Sequence, residues 1–172
     1  MVDESASELS NGRPLGRRSA RAYQYSFGAT CAIITNLALI TGLDAAPNAR
    51  MDIIAGLLIV ALADNLSDAL GIHIHQETEF VKASEVWFST FTNFTARLLI
   101  SAVFILFIAY MPLQTAVVCS VVYGFTVLTV ISAIVAREKG RRTWVLVCEH
   151  VAIALFVVLA SHKLGHWVVR RF

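Results

Sequence analysis

Five long apolar stretches run along the chain, over about residues 23–43, 52–74, 94–111, 113–136 and 144–164. Each falls in the range of roughly 17–25 residues that a helix needs to cross a hydrocarbon core. The breaks between them are short. Asp44-Ala45-Ala46-Pro47-Asn48 is rich in turn formers, Pro112 interrupts a tight connection, and 137–142 is a charged loop. The second stretch continues as a polar helix from His75 to about Glu85. Residues 1–22 carry Ser, Asn, Gly, Pro and Arg and read as a disordered cytoplasmic tail, and residues 169–172 as a short basic tail. The first stretch is longer than the 7–15 residues of a signal-peptide core, and Thr30, Thr35 and Asn36 interrupt it, so it reads as a retained helix. The predicted fold class is all-α: a polytopic membrane protein with five transmembrane helices over residues 23–168.

Composition excludes the alternatives. Of 172 residues, 57% are hydrophobic and 15% charged, against roughly 45–50% and 25% in soluble domains. Mean hydropathy is +0.68. Disorder, collagen and a disulfide scaffold are ruled out. Cys31, Cys119 and Cys148 all lie in apolar stretches, without metal or disulfide spacing, and read as small buried hydrophobes. Nothing suggests nucleic acid as a partner.

Net charge is +2, but its placement says more. With the N-terminus cytoplasmic, inside segments hold Arg13, Arg17, Arg18, Arg21, Lys82, Arg97, Arg137, Lys139, Arg141 and Arg142. Outside segments hold only Arg50, Lys163, Arg170 and Arg171. The positive-inside bias therefore puts the C-terminus on the opposite side. Trp144 and Trp167 bracket the fifth span as interfacial anchors would. Ser120 and Gly124 form a small-xxx-small pair suited to close helix approach.

The second span carries the candidate chemistry. Asp64 and Asp68 lie within it, and each ionised Asp at mid-membrane costs about 2.5–3.5 kcal/mol. At about 100° per residue, Asp68, His75 and Glu79 fall within about 60° of Asp64. One stripe thus runs from mid-membrane toward the cytoplasm, with Asn65 and Gln76 flanking it and His73 and Glu77 on other faces. Oxygen ligands with an imidazole suit Mn2+ or Fe2+, and the same groups can pass protons. Alternatively the stripe is a polar seam that packs helices and binds nothing. Elsewhere, Glu149 reaches water near the membrane edge, and His162 and His166 are spaced as a metal pair but read as interface histidines beside Lys163. The aspartates lack the flanking pattern of membrane phosphotransferases. No Glu-xx-His repeat, P-loop, GxSxG or HExxH occurs, so no enzyme is expected.

The first two spans resemble those of the vacuolar iron transporter family. The resemblance rests on Gly28, Cys31, Leu37-Ala38-Leu39 and Gly42-Leu43, on Ala55-Gly56-Leu57, on Ser67-Asp68-Ala69-Leu70-Gly71, and on Gly165 near the end. It implies five helices, a second helix protruding into the cytosol, a homodimer, and export of Fe2+ or Mn2+ from the cytosol by proton antiport. The family's first-helix Asp falls on Cys31, its second-helix Met on Asp68 and its following Glu on Ile72. Acid and sulfur are thus exchanged between helices, and Cys31 with Asp68 would rebuild a sulfur–oxygen site. The family's cytoplasmic metal-binding domain is missing, which makes this a short member. His75, Glu77, Glu79 and Glu85 remain as a reduced capture surface.

The expected function is transport of a divalent metal, Fe2+ or Mn2+, with no tightly bound cofactor. Asp64, Asp68, Asn65, Ser67 and Cys31 would hold the ion, and His75 and Glu79 would feed it or take the proton. The partners are the lipid bilayer, the metal and a second copy. The membrane would be the inner membrane of a prokaryote, or a vacuolar or other organelle membrane in a eukaryote. The alternative is a non-transporting scaffold or stress-associated module whose aspartates pair with Arg97 or the partner subunit. A small-solute or proton channel is a third option. Removing the Asp68 carboxylate is expected to leave folding nearly intact or to improve it.

Overall fold

The computed structural model describes residues 17–79, 81–138 and 142–171, with side chains from Gly28 onward, Glu138 apart. Five helices follow one another: α1 (Arg17–Leu43), α2 (Ala49–Thr78), α3 (Ala83–Tyr110), α4 (Leu113–Glu138) and α5 (Thr143–Arg171). No strand occurs among the described residues. Four helices, α2 to α5, are long and apolar enough to cross a membrane.

α1 differs from the others. Gly28–Leu43, the part of α1 whose side chains are described, is apolar. None of those residues is exposed, and α1 touches all four other helices. It is the central helix of the bundle, so all its faces meet protein. Ile33, Leu37 and Ile40 on α1 pack with Ile53 and Leu57 on α2, Phe104 and Ile108 on α3, Leu128 on α4 and Ala154 on α5. Ser120 and Gly124 are buried on α4, with Leu37 of α1 seated against Gly124, as the small-xxx-small spacing suggests.

The helix ends differ from expectation in four places. Residues 75–85 are not one polar helix: α2 ends at Thr78, whose hydroxyl donates to the His75 carbonyl at 2.6 Å. α3 then begins at Ala83, well before the expected start at residue 94. Residues 86–93 alternate aromatic with Ser, Thr and Asn, so they lack a continuous apolar run yet form an amphipathic helix packed on α2. At the C-terminus, Arg170 and Arg171 belong to the last turn of α5 rather than to a tail. At the N-terminus, residues 17–22 begin α1, and residues 1–16 of the expected tail lie outside the described residues.

Neighbouring helices alternate in direction. Arg50, at the start of α2, reaches the end of α3 and donates to the carbonyls of Ile108 at 2.6 Å, Ala109 at 3.2 Å and Met111 at 2.8 Å. The guanidinium meets the carbonyl end of the α3 dipole. Arg50→Ala is expected to lower stability by about 1 kcal/mol, read as a lower melting temperature in detergent. An unchanged melt would show that the cap is not used.

The surface is apolar, and the interior adds polar side chains to its apolar core. Leu58, Leu62, Leu66 and Leu70 of α2, Phe91 and Leu99 of α3, and Phe156 of α5 are exposed, while Asn36, Asn65, Asn93, Arg97, Ser101 and Ser132 are buried. Trp144 and Trp167, both exposed, lie about 35 Å apart along α5, close to the hydrocarbon thickness of about 30 Å.

Candidate functional site

α3 turns a polar row toward the bundle: Ser89, Asn93, Arg97 and Ser101, each four residues after the last, all buried. On α2 the buried residues Asn65, Ala69 and Gln76 face it. Arg97 sits midway along α3 and is fully buried, so the helix carries a guanidinium to the middle of the bundle. It is not the cytoplasmic-side charge that the span boundaries suggested. The remaining charge asymmetry still points the same way.

Four groups receive the guanidinium. Nη2 donates to Asp64 Oδ2 at 2.9 Å, and Nη1 pairs with Asp68 Oδ2. Nε donates to Asn65 Oδ1 at 2.8 Å, and Nη1 to the Gly28 carbonyl of α1 at 3.1 Å. Cys31, one turn after Gly28 on α1, lies beside the same cluster. A Cβ at Gly28 would lie 2.1 Å from Asn93 Oδ1 and would push that amide aside.

The cluster gathers Asp64, Asn65, Asp68 and Cys31 around a residue outside the expected set. Ser67, His75 and Glu79 do not join it and are exposed on α2. His73, assigned to another face, turns into the α2–α3 contact instead. Its Nδ1 is 3.1 Å from Thr90 Oγ1, its Nε2 is 3.3 Å from Glu77, and its ring meets Trp87 edge-on. Gln76 donates to Ser89 Oγ at 3.0 Å, and Asn36 of α1 to Ser101 Oγ at 2.9 Å. A polar seam therefore ties α1, α2 and α3.

The two aspartates are not equivalent to the arginine in burial. Their side chains are 40% and 36% accessible, against 0% for Arg97. Three formal charges sum to one uncompensated negative charge. Near the guanidinium, Asn65 Nδ2 and both amide atoms of Asn93 are buried without a hydrogen bond. Arg97 divides its charge between both carboxylates, so removing Asp68 leaves it paired with Asp64.

Further polar and sulfur-bearing residues lie on α4 and α5. His150 lies 2.8 Å from Ser132 Oγ on α4, while Glu149 is exposed. Cys148 is exposed and Cys119 only partly covered, so neither is the buried hydrophobe expected.

No family model matches the chain, and neither a curated protein nor a solved structure matches it. The class rests on the fold itself. An apolar exterior, a polar seam and four spanning helices make this an all-helical integral membrane protein.

Proposed function

We propose that the protein is a cation carrier with five spans, its N-terminus cytoplasmic, moving a divalent metal such as Fe2+ or Mn2+ out of the cytosol against protons. The observation that carries this reading is the shared guanidinium: Asp64 and Asp68 divide one Arg97 and keep an open side. The residual negative charge needs a proton, a cation or water at mid-membrane. Asp64, Asp68 and Asn65 offer oxygen and Cys31 offers sulfur, a set that suits borderline divalent ions. The unmade hydrogen bonds of Asn65 and Asn93 leave polar groups for water that accompanies the ion. A second copy packed on the open side would enclose the two clusters, as the resemblance to iron transporters implies.

In this reading a carboxylate exchanges Arg97 for the cargo or a proton, so the cluster carries a net +1 with the divalent ion and is neutral with one proton. A second reading, a structural clamp without transport, is favoured by the number of bonds Arg97 makes.

Asp68→Asn separates the two. It leaves Arg97 with Asp64 alone, a balanced pair, so the fold persists. In proteoliposomes with an opposing proton gradient, Mn2+ uptake by the parent chain is expected, with a loss of at least about tenfold in the variant, or about 1.4 kcal/mol. A parent chain that moves neither Mn2+ nor Fe2+, or a variant that moves them at the parental rate, would overturn the carrier reading.

A further inference from the structure

A second cluster lies at the opposite end of the bundle from the α2–α3 turn. His162 and His166 are one turn apart on α5, so their rings meet edge-on along one face, with centroids 4.3 Å apart. Lys163 falls between them in sequence, which argued from sequence alone against a metal. The missing ligand comes from elsewhere. α1 and α5 touch backbone to backbone at Gly42 and Gly165, where a Cβ on Gly165 would lie 1.8 Å from the Gly42 carbonyl oxygen. Two residues beyond Gly42, the loop turns Asp44 onto the histidines.

The resulting geometry is compact. Asp44 Oδ2 is 3.3 Å from His162 Nδ1, and Oδ1 is 3.9 Å from His166 Nε2. One ligand atom from each of the three residues lies within 4.8 Å of the others. Donors around a tetrahedral ion with bonds of about 2.0–2.1 Å stand about 3.3 Å apart, so small ring rotations close the set. Asp44 Oδ1 is itself buried and makes no hydrogen bond, although it faces the cluster. His162 takes the other oxygen, and His166 Nε2, at 3.9 Å, stands beyond hydrogen-bond distance of Oδ1. A depression of about 360 Å³ opens beside the rings, lined by both histidines, Lys163, Trp167 and Arg170. It gives access to an ion and room for a water ligand. The two cations there are exposed, so solvent and salt weaken their repulsion.

We infer that Asp44, His162 and His166 form a binding site for one borderline transition-metal dication, of the Zn2+ or Co2+ kind, joining the α1–α2 loop to the end of α5. Two imidazoles and one carboxylate leave a coordination position open and disfavour Mg2+ and Ca2+, which take oxygen ligands. The assignment does not depend on transport through the mid-membrane cluster.

The test uses the full chain carrying Asp68→Asn, which takes the mid-membrane cluster out of play, as the parent; it is stripped with a chelator in detergent and titrated with Co2+. The parent is expected to take up one Co2+ with visible d–d bands, to release it to Zn2+, and to melt at higher temperature with either metal. At 100 times Kd, binding adds about 2.7 kcal/mol. His166→Gln and Asp44→Asn are expected to lose the bands. His162→Cys is expected to keep them and gain a near-ultraviolet sulfur-to-cobalt charge-transfer band. The assignment is overturned if the parent gives neither bands nor a melting shift, if they survive His166→Gln, or if His162→Cys binds cobalt without the new band.

Discussion

Arg97→Met is expected to destabilise the protein by about 3–5 kcal/mol, the scale of breaking a buried ion pair from one side. The methionine fits the volume but leaves Asp64 and Asp68 facing each other without a counter-charge, and strands the Gly28 carbonyl and Asn65 Oδ1. Thermal unfolding in detergent should fall by on the order of 10 °C. The cost belongs to the unpaired carboxylates rather than to a lost net attraction. Adding Asp64→Leu and Asp68→Leu to Arg97→Met should therefore recover most of the loss, because an apolar replacement of a whole buried ionic set is often neutral or better. A single variant that melts with the parent, or a triple variant no more stable than the single, would refute this account.

The second large effect is at the α1–α5 contact. Gly165→Val puts a branched side chain where a bare Cβ already collides with the Gly42 carbonyl. The obstacle is backbone, so no side chain can rotate aside. Separation of the two helices is expected to cost about 3 kcal/mol, at the upper end of overpacking. It should also move Asp44 away from His162 and His166. The melting temperature should drop and the cobalt spectrum of the loop site should vanish together. A variant that keeps both would mean that the helices are not held this close.

Much of the fold was legible in the sequence, because apolar runs bounded by Pro, Gly and charges directly report helices that face lipid. The row Ser89, Asn93, Arg97, Ser101 was not read from the sequence, although one repeat of four puts every member on one face. It was obscured because residues 83–93 lack a continuous apolar run, which placed Arg97 near a helix start instead of at the centre. Asp64 and Asp68 stood out for the same reason that Arg97 should have: charge is scarce in this chain, so each deep charge implies a partner. The loop site could not be read this way. Asp44 is distant in sequence from His162 and His166, and they meet because α1 packs on α5, closest at Gly42 and Gly165. Nothing local in either segment encodes that meeting.

The tie between Asp64 and Arg97 spans 33 residues of chain, and this bears on how the protein enters the bilayer. Alone, α2 would carry two carboxylates into hydrocarbon, and α3 alone would carry a guanidinium. Each charge costs about 2.5–3.5 kcal/mol at the centre. Inserted one after the other, each helix would meet that cost unaided. Inserted as a hairpin, they meet it already neutralised to a single charge. At about 5–20 residues per second, synthesis delivers Arg97 some seconds after Asp64. The earlier helix must wait at the insertion site for the later one, and translation speed through residues 65–97 becomes a determinant of how much protein matures.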